Sequence, residues 1–130
     1  MKVDREKGIV VLENFSKIKK NLKFEGCVTL GIGCETADLF AKEVITGKGC
    51  SLRDIVCERI ILGAFSSFRS IHAEEVILLN SCTGEKIDAK VVKIGENCKI
   101  FEVKAEKIEM RGLSRIEKIA ANKIKCMDFI

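Results

Sequence analysis

The sequence predicts an all-β fold: a single-stranded parallel β-helix, or solenoid, of six to seven triangular coils. A sixteen-residue repeat runs without a gap from Glu25 onward, apolar residues recur in pairs two positions apart, and the 130 residues include no proline. A fixed period marks a stack of similar supersecondary units. A spacing of two puts both members of a pair on one face of a strand. Proline would delete a rung of hydrogen bonding between coils.

With Glu25 as position 1, the units begin EGCVTLGIGCETADLF and AKEVITGKGCSLRDIV and close with the partial unit ANKIKCMDFI. The fourth column reads Val28, Val44, Ile60, Val76, Val92, Ile108, Ile124, and the sixth Leu30, Thr46, Leu62, Leu78, Ile94, Met110, Cys126. The tenth holds Cys34, Cys50, Ser66, Cys82, Cys98, Ser114, and the fifteenth Leu39, Ile55, Ile71, Ile87, Val103, Ile119. Positions 4 and 6, 10 and 12, and 15 and the following 1 form three inward pairs, hence three short strands per turn. Glycines at position 7 (Gly31, Gly47, Gly63, Gly95) are expected at corners for their tolerance of positive φ. Phe68 is the one large ring in the interior columns, and Gly84 one coil later leaves space for it. A helical solenoid does not fit: sixteen residues are too few for two helices with turns, and no 3.6-residue stripe persists.

The length supports one domain with one core, divided into residues 1–24, a basic N-terminal segment that is either a cap or an irregular first coil, and the β-helix domain 25–130. Hydrophobic types make up 47% and charged types 32%, a balance that excludes wholesale disorder. Residues 1–24 hold seven Lys/Arg against three acids, which accounts for the whole net charge of +4. The body is neutral and lacks a basic stripe with aromatic platforms, so nucleic acid is not an expected partner. No apolar signal region follows MKVDREKG, and no apolar run reaches the roughly 20 residues that span a bilayer. The expectation is a cytoplasmic protein with mostly free thiols.

The tenth-column cysteines read as small, soft, buried side chains rather than a metal or redox ladder. Stacked side chains point in parallel, which disfavours disulfides, and paired zinc spacings such as C-x2-C are absent. Cys57 and Cys126 fall in inward columns, leaving Cys27 as the expected exposed thiol. The single histidine, His72, is outward, with no nucleophile or carboxylate pair organised around it. No catalytic, metal or cofactor site is expected.

Position 5 points outward yet carries Ile45, Ile61 and Ile77, an apolar stripe of the kind that signals a partner. Residues 9–24 fit the columns poorly, since Asn14, Lys20 and Lys23 would face inward. They read as a strand and a short helical turn that either covers this stripe or leaves it open. A β-helix also exposes an unpaired strand edge at each end, and its last unit closes on the apolar Phe129 and Ile130 rather than a polar cap.

The units AKVVKIGENCKIFEVKAEKIEM and AEEVILL, with the pattern Ala-x-x-[Val/Ile]-x-[Ile/Leu]-Gly, resemble those of bactofilins, polymer-forming cytoskeletal proteins. The resemblance covers about residues 25–126. It implies a right-handed β-helix that assembles head to head and tail to tail into filaments without a nucleotide, with Phe129 as the matching terminal contact. The expected function is therefore a non-enzymatic, self-assembling cytoskeletal scaffold, in the cytoplasm or peripheral at the inner membrane face. Lys17, Lys19, Lys20 and Lys23 would give a weak contact with anionic lipid. Two other readings stay open: a small oligomeric adaptor that binds a protein through the Ile45–Ile61–Ile77 stripe, and a β-helical enzyme of the acyltransferase kind.

Overall fold

The computed structural model describes residues 1–127; Phe129 and Ile130 lie outside the described residues. Those residues contain strands and turns but no helix, and they wind into a β-solenoid of about seven turns. A short strand β1 (Lys2–Asp4) precedes the coils. The first turn holds β2 (Ile9–Leu12), β3 (Lys17–Ile18) and β4 (Leu22–Lys23). The second holds β5 (Cys27–Leu30), β6 (Glu35–Thr36) and β7 (Leu39–Phe40). Next come β8 (Glu43–Thr46), β9 (Asp54–Val56), β10 (Arg59–Leu62), β11 (Ser67–His72) and β12 (Glu75–Leu78). Later strands run on through their corners as β13 (Thr83–Ile94), β14 (Lys99–Arg111) and β15 (Arg115–Met127).

The period becomes the register. Val28 lies beside Val44, Val44 beside Ile60, Ile60 beside Val76, Val76 beside Val92, and Val92 beside Ile108, all in parallel pairs. Each of these six side chains is fully buried. The sixth and fifteenth columns complete the interior through Leu30, Leu62, Leu78 and Ile94 on one side and Leu39, Ile55, Ile71, Ile87 and Val103 on another. Gly84 sits directly above the buried Phe68, and a Cβ there would overlap the ring. On the outer surface, Arg69 forks onto Asp54, one coil below, and holds that carboxyl down at about 2.

Residues 9–24 differ from expectation. They contain no helical turn and form a complete coil in parallel register with the next. Ile9 pairs with Cys27 and Ile18 with Thr36, eighteen residues apart; Leu22 pairs with Leu39, seventeen apart; Cys27 pairs with Glu43, sixteen apart. One extra residue is therefore absorbed in each of two corners, Lys19–Asn21 and Phe24–Gly26. The shift sends Val10, Leu12, Ile18 and Leu22 toward the core and leaves Asn14, Lys20 and Lys23 exposed. Because the segment continues the stack, it does not fold over the Ile45–Ile61–Ile77 stripe.

The corner glycines also have a different cause. Positive φ falls instead at position 9, at Gly33, Gly49, Phe65, Ser81 and Asn97, with φ between 58° and 70°. Where position 7 is glycine, as at Gly47 and Gly63, the coils approach too closely for a side chain. A Cβ on Gly63 would strike the Gly47 carbonyl, and one on Gly47 would sit 3.0 Å from the Gly31 carbonyl carbon.

These corners explain the cysteine and serine column. At each corner the position-7 carbonyl accepts a hydrogen bond from the position-10 side chain one coil later. Cys50 Sγ donates to Gly31 O (3.1 Å), Ser66 Oγ to Gly47 O (3.4 Å), Cys82 Sγ to Gly63 O (3.2 Å), Cys98 Sγ to Leu79 O (3.2 Å) and Ser114 Oγ to Gly95 O (2.7 Å). Cys34 Sγ reaches Glu13 O, its counterpart in the longer first coil, at 3.1 Å. Where the upper residue is serine, its oxygen also accepts the N–H of the position-10 residue below, from Cys50 to Ser66 and from Cys98 to Ser114, both at 3.1 Å. The column is thus a hydrogen-bonding ladder as well as a stack of small side chains. Buried polar backbone otherwise carries a penalty of about 1–3 kcal/mol per group. Thr36 is a different case: its buried hydroxyl has no partner among the described residues, and nothing in the structure explains it.

Two outcomes follow for stability. Cys50→Ser keeps the donor and should unfold within about 1 kcal/mol of wild type, whereas Cys50→Ala strands the Gly31 carbonyl and should cost about 1–3 kcal/mol in urea titration. Gly84→Ala forces the Phe68 ring aside and should cost about 1–3 kcal/mol. Adding Phe68→Leu to that variant should recover part of the loss, because the smaller side chain clears the new methyl group.

Candidate assembly ends

The two ends of the stack are built differently. At the C-terminal end, β15 pairs in parallel with β14 over eleven register positions, from Lys99 with Arg115 to Arg111 with Met127. Among the described residues its other edge has no partner. The interior columns make the consequence visible. Val103 and Ile108 are 0% exposed, yet their successors one coil later, Ile119 and Ile124, are 44% and 50% exposed. The successors point inward by the same alternation but have a coil on one side only. Ile116 and Ala121 are half-buried beside them. Burying a side chain of this size fully contributes about 1.5–3 kcal/mol, so this end is an apolar surface framed by an open strand edge.

At the N-terminal end, β1 runs antiparallel to β2, with Lys2 beside Val11, Val3 beside Val10 and Asp4 beside Ile9. The connecting turn is closed by Lys7 N–H donating to Asp4 Oδ1 at 3.1 Å, with Gly8 at φ 65°. That strand occupies the edge on which a further parallel coil would continue the first face. Beneath it lies a recess of about 500 Å³ lined by Val3, Val10, Leu22 and Phe24. Lys17, Lys19, Lys20 and Lys23 are all exposed around this first coil, with Lys17 4.0 Å from Glu35.

Ile45, Ile61 and Ile77 stand in one in-register column on the outer first face, each half-buried. The column gives way to Lys93, Glu109 and Lys125 further along. The most open thiol is Cys126 rather than Cys27. Its column is interior, but its coil is the last one described, whereas Cys27 is half-buried in β5. Cys57 is buried and its thiol is pushed up to about 12, by burial first and then by the adjacent Glu58. His72 Nδ1 lies 3.8 Å from Asp88 on the exposed third face. Among the described residues, no three His, Cys, Asp or Glu side chains converge as metal ligands.

Sequence reasoning found the interior columns and missed the position-10 hydrogen bonds, because a column of Cys and Ser is equally explained by size. It also missed β1, whose three residues carry no trace of the repeat. Comparison with protein-family models, with characterised proteins and with solved structures returns no match.

Proposed function

We propose that this protein is a non-enzymatic structural protomer that self-associates through its coil ends, foremost the C-terminal one, into oligomers or filaments that serve as a scaffold. The observation that carries this reading is the rise in exposure along an unchanged interior pattern, from Val103 and Ile108 to Ile119 and Ile124, beside the open edge of β15. A second copy related by a twofold axis would add its own β15 in antiparallel pairing and cover both sets of isoleucines at once. The resemblance to bactofilins supports the same conclusion. The antiparallel β1 at the other end disfavours continuing the parallel stack there.

Residues 115–127 carry Arg115, Lys118, Lys123 and Lys125 against Glu117, a net charge of +3. Pairing two such strands brings like charges together, so association should strengthen as salt screens them. Lys17, Lys19, Lys20 and Lys23 at the opposite end leave a cationic surface available for weak contact with anionic lipid in the cytoplasm.

Sedimentation velocity and negative-stain imaging test the proposal. Wild-type protein should form dimers or longer assemblies that grow with concentration and with ionic strength. The double variant Ile119→Lys/Ile124→Lys should be monomeric with unchanged β-sheet circular dichroism. A wild-type protein that is monomeric at every concentration, or a double variant that assembles as wild type does, would contradict it.

A further inference from the structure

The outer first face carries a second surface, with a cleft set back from the β15 edge. Position 7 is glycine in the coils of Gly31, Gly47, Gly63 and Gly95, but in one coil it is Leu79, whose side chain stands 45% exposed. A repeat that gains close coil contact from glycine does not need an exposed leucine there. In the next two coils the same column holds Gly95 and then Arg111, so a gap opens between Leu79 and Arg111. The resulting cleft of about 290 Å³ is lined by Ile77, Leu79, Gly95, Lys93, Glu109 and Arg111.

The charges around it are one-sided. Lys93 and Arg111 are exposed and make no ion pair among the described residues. Lys107 and Lys125 flank them on the same face, with Lys123 beside Lys107 in register. Against these five cations stand two carboxylates, Glu96, whose side chain lies against Gly112 beside Arg111, and Glu109. Lys107 Nζ holds the latter at 3.0 Å. Its carboxyl lies below the usual range because of that hydrogen bond, reinforced by the fields of Lys107, Lys93 and Lys125. The face thus shows, with the chain's own Glu109, how it receives a carboxylate, and it has three cations in excess. At its far side it is continuous with the half-buried column of Ile77, Ile61 and Ile45.

We propose that this face is a docking site for an acidic, extended polypeptide segment of a partner protein. One apolar side chain of the segment fills the cleft between Leu79 and Arg111, and its carboxylates meet Lys93, Arg111 and the flanking lysines. An extended segment suits a flat strand face whose side-chain rows repeat at the strand spacing. The excess positive charge selects acidic over basic sequences and speeds encounter. The proposal does not depend on end-to-end assembly, since the cleft lies on the side of the solenoid.

Fluorescence anisotropy tests it with a labelled heptapeptide that has a central leucine flanked by glutamates. Its central-glycine analogue, its lysine counterpart and phosphatidylglycerol vesicles serve as comparisons. The leucine–glutamate peptide should bind at low salt and weaken as ionic strength rises. Lys93→Glu/Arg111→Glu should weaken it by about tenfold or more. Leu79→Gly, which restores the ordinary corner, should weaken the leucine peptide and leave the glycine analogue unchanged. Equal binding of the lysine peptide, indifference to both variants in protein of unchanged circular dichroism, or binding to vesicles alone would each overturn the proposal.

Discussion

Axial hydrogen bonding between coils is the constraint on which the rest of this molecule depends. Each turn has its backbone partners in the turns above and below, so no coil is satisfied alone. The absence of proline, the sixteen-residue register and the glycine at each tight corner all serve that stack. The corners are its weak point, because the chain leaves the regular ladder there. The thiols and hydroxyls of position 10 take over at those corners, capping the position-7 carbonyls that the ladder leaves out. Cysteine and serine interchange in the column because both are small enough for the interior and both carry a donor.

Much of the fold was legible because burial imposes a strict alternation. Val44, Ile60 and Val76 recur at one spacing, and that spacing is the observed register. The first coil was not legible for the same reason. Two single-residue insertions in its corners break the period while leaving the strands intact, so Val10 and Leu12 stay inward and Ser16 falls in line with Cys34, two residues out of step. The ladder of positive φ escaped notice because Gly33, Gly49, Phe65, Ser81 and Asn97 share a backbone state and no side-chain property. Non-glycine residues hold that state at a cost of order 1 kcal/mol, set against the hydrogen bonds on either side. Phe129 and Ile130, on which the sequence reading of the C-terminal end rests, lie outside the described residues, and the isoleucines exposed in the last described coil, Ile119 and Ile124, occupy sequence positions that look like core.

A regular solenoid makes its irregularities informative. Repeat geometry explains the interior columns and the corners, and what it does not explain is a short set of departures. β1 runs against the direction of every other strand pairing and closes part of one end. Leu79 occupies a corner that the coils of Gly31, Gly47, Gly63 and Gly95 keep free of side chains, next to cations the fold does not require. Together with the edge of β15, which has no partner among the described residues, these departures mark the two surfaces proposed for another copy and for an acidic chain.

The central claim is that the stack is completed by another copy at β15. Amide hydrogen exchange across a dilution series reads this at the edge itself. Amides of β15 that face away from β14 should exchange freely in dilute protein and become protected as concentration rises, while β2, β5 and β8 stay protected throughout. Protection that grows at β1 and leaves β15 unchanged, or exchange in β15 that is independent of concentration, would contradict the account.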